Sequence, residues 1–140
     1  MFTRNRSGNL HLSLHDSRIQ KTEVHENTLQ LTMDRIFQYT DEETIYSGVI
    51  EFTKVYVEEC SILVFDYPYG YEGETSFSGQ SYSLTEYNDR YPNAEFEIVT
   101  EGYNGYATCF QGWIWDGESE PLFGIMNIWN MGDMVYLLED

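Results

Sequence analysis

The stretch from Tyr106 to Leu138 constrains the fold of this chain more than any other. It reads YATCFQGWIWDGESEPLFGIMNIWNMGDMVYLL and holds all three tryptophans. Its apolar runs are rich in Trp, Phe, Ile and Tyr. They are separated by turn residues at Asp116-Gly117 through Pro121 and at Met131-Gly132-Asp133. Such runs between Gly, Asp and Pro punctuation read as strands. The stretch therefore predicts three consecutive antiparallel strands at the hydrophobic centre of a β-rich domain. Trp113 and Trp115 share one face and are expected to pack inward.

The rest of the chain has the same character. Leu10, Leu12 and Leu14 alternate with His11, Ser13 and His15. Leu29, Leu31 and Met33 oppose Gln30, Thr32 and Asp34. Period-two alternation of this kind marks half-buried strands. A weaker strand over 18–25 pairs with 28–37 across a turn at Glu26-Asn27. Ile50 and Phe52 change phase with Val55 and Val57, which predicts a β-bulge near Thr53-Lys54. Cys60 to Phe65 is a continuous apolar run. In the strand over 94–103, Phe96 and Ile98 point inward and Glu95, Glu97 and Glu101 outward. Asn104-Gly105 then suits a type I′ hairpin turn. One helix is signalled. Ser83-Leu84-Thr85-Glu86 fits a capping box, Leu84, Tyr87 and Tyr91 share a helical face, and Pro92 stops the run. The sum is a mainly β (β-rich α+β) fold. It is an antiparallel meander of about nine strands, forming a curved sheet or a partial barrel or sandwich, with one short helix near 84–91. Residues 1–140 make a single domain behind a flexible basic tail, 1–8, and folding at this length buries roughly 68% of the unfolded chain's surface.

Charge narrows the function. The chain has 24 acids against 7 Lys+Arg, a formal charge of −17. Residues 1–35 carry five of the bases and four of the acids; residues 36–140 carry Lys54 and Arg90 against the other twenty acids. Such a surface repels nucleic acid and anionic membrane and attracts basic proteins. Plain solubility is the competing explanation. No run reaches the roughly 20 apolar residues of a membrane span. The N-terminus lacks a signal peptide's apolar segment, and a cytoplasmic chain is expected on that ground. Cys60 and Cys109 are expected to be reduced and buried, since neither has a CxxC partner or a basic neighbour.

No catalytic, metal or cofactor motif stands out. On a strand, His11 and His15 lie roughly 13 Å apart, too far to share a metal. His15-Asp16 is a conceivable oriented base, but adjacent strand residues point to opposite faces. Asp116, Glu118 and Glu120 cluster in a turn without EF-hand spacing. No metal site and no cofactor are assigned. The segment from Tyr67 to Tyr82, YPYGYEGETSFSGQSY, reads as a long loop of a composition that binding surfaces use. Its candidate contact residues are Tyr67, Tyr69, Tyr71, Glu72, Glu74, Phe77 and Tyr82.

The opening Leu14-His15-Asp16-Ser17-Arg18-Ile19, followed by Asn27-Thr28-Leu29-Gln30-Leu31 and Gly48-Val49-Ile50-Glu51-Phe52, carries a resemblance. Over its first third the chain is similar to small uncharacterised bacterial proteins with a hydrophobic-HD(S/A)-x-I opening and a β-rich body. Some of these are suspected immunity proteins of polymorphic-toxin systems. The resemblance implies no functional residue. Together with the charge it favours a non-enzymatic acidic module that binds a basic protein, such as a toxin. The alternatives are a small-ligand or carbohydrate-binding β domain using Tyr69, Tyr71 and a tryptophan, and an enzyme built on carboxylates and His15.

Overall fold

A computed structural model describes residues 1–4, 11–40, 42–65, 78–117 and 120–139. Among the described residues eleven strands form one wholly antiparallel sheet. They are β1 (Phe2–Arg4), β2 (Leu12–Ser13), β3 (Arg18–His25), β4 (Thr28–Tyr39), β5 (Glu43–Phe52), β6 (Ser61–Phe65), β7 (Gly79–Tyr82), β8 (Glu95–Asn104), β9 (Ala107–Trp115), β10 (Leu122–Trp129) and β11 (Met134–Glu139). A 3₁₀ turn spans Val57–Glu59, and α1 spans Leu84–Arg90. The strand order is β1-β11-β5-β4-β3-β8-β9-β10-β6-β7, with β2 beside β4. The sheet does not close into a barrel.

The order divides at β3–β8. The first half is β1-β11-β5-β4-β3 and the second is β8-β9-β10-β6-β7. They join through Arg18↔Glu97 and Ile19↔Phe96, extended by bonds from Asp16 N–H to the Ile98 carbonyl and from Ile98 N–H to the Ser17 carbonyl. One apolar cluster draws on both halves and on α1, with Leu31, Ile50, Phe52 and Tyr136 from the first and Ile62, Phe96, Phe110 and Ile128 from the second. The sheet is therefore bent back around a shared core. The chain crosses between halves twice at one corner, from β5 to β6 and from β10 to β11.

Several expectations hold. The capping box is made: Glu86 N–H donates to Ser83 Oγ, and Ser83 N–H donates to the Glu86 carboxylate. Those bonds, the backbone one first, hold the fully exposed Glu86 carboxyl below its usual range. The Glu26-Asn27 and Asn104-Gly105 hairpins form. Both cysteines are free thiols; Cys60 is buried as expected, whereas Cys109 is only half-buried, and burial raises both thiol pKa values.

Other expectations are corrected. β9 and β10 pair, but β11 leaves them and lies between β5 and β1. The phase change at Thr53-Lys54 is the end of β5, where Lys54 takes φ +51° and the chain turns into its crossing. Gly79–Tyr82 is an edge strand on β6, held by ladder bonds without apolar alternation. In the 104–107 hairpin Gly105 takes φ +60° while Asn104 and Tyr106 do not take positive φ, so the turn is of a Gly-first kind and not type I′. Trp113 and Trp115 share a face, but it is the outer one, because Phe110, Gly112 and Ile114 fill the inner positions of β9.

Candidate interaction surface

Of the predicted contact residues, Tyr67, Tyr69, Tyr71, Glu72, Glu74 and Phe77 lie outside the described residues. Tyr82 is placed. It ends β7, donates its hydroxyl to Gln80 Oε1 at 2.7 Å and meets the Tyr91 ring edge-on at 5.9 Å. Tyr91 in turn packs on Tyr87 at 5.5 Å. Tyr82 thus belongs to a tyrosine cluster that seats α1 on the second half.

The outer face of that half is aromatic. The ladder places Phe65 opposite Phe123 and Phe123 opposite Trp113. Their ring centroids are 5.5 and 5.7 Å apart. The row runs on to Glu97 and then Arg18. Arg18 reaches Glu95 at 3.2 Å and Glu97 at 3.7 Å, and its guanidinium lies 4.7 Å from the centre of the Trp115 ring. Trp115 Nε1 donates to Glu97 at 3.0 Å. This cluster ties the short seam between the halves. It also shows what the face can hold: a planar cation over an indole, flanked by carboxylates.

Tyr56, Tyr106, Trp129 and Met131 surround the crossing corner, where sequence reasoning placed no site. There Val55 bridges Asn130, Tyr56 N–H donates to the Trp129 carbonyl, Met131 N–H to Lys54 and Asn130 N–H to Tyr106. The buried Asn130 amide donates to the carbonyls of Thr53 and Asp133, each at 3.2 Å. Residues opposite one another in an antiparallel pair share a face. Val55 and Asn130 fill the inner side, so Tyr56 and Trp129 stand on the outer one. Beneath them the Cys60 thiol donates to the Tyr56 carbonyl at 3.2 Å and accepts from Trp129 N–H at 3.4 Å. Trp129 stays 44% exposed because its partner on β9, Ala107, offers only a methyl group. The sequence signal was the Met131-Gly132-Asp133 turn. Gly132 is required there, since a Cβ would sit 2.1 Å from Thr53 Oγ1 and 2.7 Å from its carbonyl oxygen.

A second feature hidden from the sequence is Glu101. A bulge at Val99 shifts the β8–β9 register from Ile98↔Gly112 to Thr100↔Gln111. It turns Glu101 and Tyr103 inward, reversing the expectation for Glu101. The Glu101 carboxylate accepts from Ser13 Oγ and Leu14 N–H at 2.8 Å each and from the Tyr103 hydroxyl at 2.6 Å. Burial, then the neighbouring Tyr136 and Glu101, push the Tyr103 phenol far above its usual pKa. Three donors on one carboxylate fasten β2 and β8 together. Gly112, opposite the bulge, was the available signal.

No family model, curated protein or solved structure matches this chain.

His15 and Asp16 approach to 3.2 Å, but their side chains are 56% and 60% exposed at a turn. Among the described residues, no three His, Cys, Asp or Glu side chains converge on a metal position. No helix there is long and apolar enough to cross a membrane. A cleft between α1 and β3, lined by Ile19, Lys21, Tyr87, Asn88, Tyr91 and Phe96 among others, holds about 220 Å³. That is smaller than the roughly 300–1,000 Å³ of ligand pockets.

Proposed function

We propose that this chain is a non-enzymatic, acidic protein-binding module that captures a basic partner protein, in the manner of an immunity-type inhibitor of a basic toxin. The charge skew carries the reading. After residue 35 two bases face twenty acids. Beyond residue 35, Glu42, Glu58, Glu59, Glu86, Glu120 and Asp133 are exposed at five places along the fold, against exposed Lys54 and Arg90. Carboxylates spread in this way raise the encounter rate with a cationic surface and repel anionic ones. The Arg18 cluster supports the same reading, because it shows arginine held by this chain's indole and carboxylates.

The test is capture of host proteins on the immobilised chain at low ionic strength, followed by a salt series on whatever is retained. The expected result is one dominant basic partner, released steeply as salt shortens the Debye length from about 30 Å at 0.01 M to about 8 Å at 0.15 M. Co-expression should then suppress that partner's activity. Retention of no basic protein at low salt overturns the proposal.

A further inference from the structure

We infer that the crossing corner formed by Tyr56, Tyr106, Trp129 and Met131 is the docking surface, and that its occupant is a basic protein presenting an apolar projection framed by Lys or Arg. The inference rests on the binding reading above and adds the location and the partner's shape.

Four of the ten large hydrophobic residues exposed among the described ones lie at this corner: Tyr56 at 53% and Trp129 at 44% on its outer side, Met131 at 42% beside them in sequence, and Tyr106 at 40% in the adjoining hairpin turn. A cluster of large apolar side chains left in water marks an interaction site more often than scattered single residues do. Trp, Tyr and Met are also types enriched at interfaces, and Trp and Tyr dominate their energetics. The platform is rigid. Crossing segments bond to one another along it, and the Asn130 amide and Cys60 thiol brace it from below. A pre-ordered surface loses little conformational entropy on binding.

Charge selects the occupant. Glu58 and Glu59 follow Tyr56 in the 3₁₀ turn and Asp133 follows Met131; all three are exposed, and Lys54 is the basic residue between the crossing segments. An indole and a phenol edged by carboxylates receive guanidinium and ammonium groups well. A second copy of this chain, itself at a formal charge of −17, would set like carboxylates against Glu58, Glu59 and Asp133 and is disfavoured.

The experiment is selection of random linear peptides displayed on phage against the intact chain, followed by measurement of the winners against variants. Peptides joining an aromatic or branched aliphatic residue to Lys or Arg are expected. They should bind Trp129→Ala and Tyr56→Ala about tenfold or more weakly than the parent chain, and Ile45→Ala, exposed on β5, equally well. Circular dichroism and melting of each variant establish that it is folded, and Met131→Ser repeats the test at a position with no indole to lose. Basic winners that bind Trp129→Ala, Tyr56→Ala and Met131→Ser as tightly as the parent overturn the corner while leaving the acidic-module reading intact. Absence of basic winners overturns both. A dimer in sedimentation that Trp129→Ala converts to monomer overturns the choice of occupant in favour of a second copy.

Discussion

The two halves of the sheet share one core yet carry different outer faces. On the first half the outward positions of β4 are Thr28, Gln30 and Thr32, with Glu51 opposite Gln30 on β5 and the Gln30 amide donating to it at 3.2 Å. On the second half the outward positions include Trp113 and Trp115 on β9, Phe123 and Ile125 on β10, and Leu63 and Phe65 on β6, beside the polar Gln111, Asn127 and Ser61, whereas the outward apolar residues of β5 and β11 in the first half are the smaller Val49, Val135 and Leu137. The inner faces do not differ in this way; both are Leu, Ile, Phe and Met. Burying the inner face drives folding in either half, at about 25 cal/mol per Å² of apolar area. Polar outer positions would serve that purpose equally well. The half-buried outer rings of the second half run towards Trp129 and the corner, where the proposed partner contact would extend them.

The largest expected effect tests what the halves have in common. Each has a glycine where two backbones come too close for a side chain. A Cβ at Gly112 would lie 1.8 Å from the Glu97 carbonyl oxygen, and one at Gly48 would lie 2.1 Å from that of Leu137. Neither oxygen can move without breaking the ladder. Gly112→Ala and Gly48→Ala should each cost about 3 kcal/mol or more, as backbone strain and overpacking do. Urea unfolding measures it. If Gly48→Ala alone proved costly, the bulge at Val99 would be pliable, and the inward placement of Glu101 would lose its support.

A smaller effect tests the difference. Trp113→Ala and Phe123→Ala each remove half a ring pair on the aromatic face, and should cost about 1–2 kcal/mol, less than the 3–5 kcal/mol of a core aromatic. Gln30→Ala and Thr32→Ala, on the polar face, should fall within about 0.5 kcal/mol of the parent chain. Losses at Trp113 and Phe123 as large as the 3–5 kcal/mol of a core aromatic would mean that the outer rings act as a second core, and their proposed part in partner contact would lose its support.

Much of the architecture was legible, and the misses have physical causes. The helix announced itself because Ser83 and Glu86 satisfy each other's backbone in a way that spacing alone reveals. The alternation in β4 was legible because polar residues separate Leu29, Leu31 and Met33. In β9 both faces are apolar, so the period placed Trp113 and Trp115 together but gave no contrast to choose their side. The departure of β11 from β10 was hidden because partner choice depends on inner faces distant in sequence. β7, Gly-Gln-Ser-Tyr, has no apolar signal and is a strand through its bonds to β6. Glu101 was misassigned because one extra residue at Val99 inverts everything after it. The corner was invisible as a site, since its residues come from three separate stretches that meet only where the crossings pair.

The smallest effect at neutral pH also separates the halves. Tyr87 and Tyr91, at α1, and Tyr103, on β8, all have phenol pKa values raised chiefly by burial, and all three belong to the second half. At Tyr87 the nearby Asp116 adds to the rise. A raised folded pKa favours the protonated phenol in the native state. Its contribution is complete below the unfolded tyrosine value of about 10 and is lost as pH climbs from there towards the folded value. Alkaline unfolding should therefore begin above about pH 10 and start from the second half. Tyr87 isolates the cause, because its buried hydroxyl has no hydrogen-bond partner among the described residues. Tyr87→Phe should leave stability at pH 7 unchanged or raise it by up to about 1 kcal/mol, since an unsatisfied buried hydroxyl disappears. It should also move the alkaline midpoint upward. Urea unfolding at pH 7 and phenolate absorbance during a base titration measure the two effects. Marked destabilisation at pH 7 would show that the hydroxyl has a partner, while an unmoved alkaline midpoint would shift the origin of base sensitivity to Tyr103 and the bond it donates to Glu101.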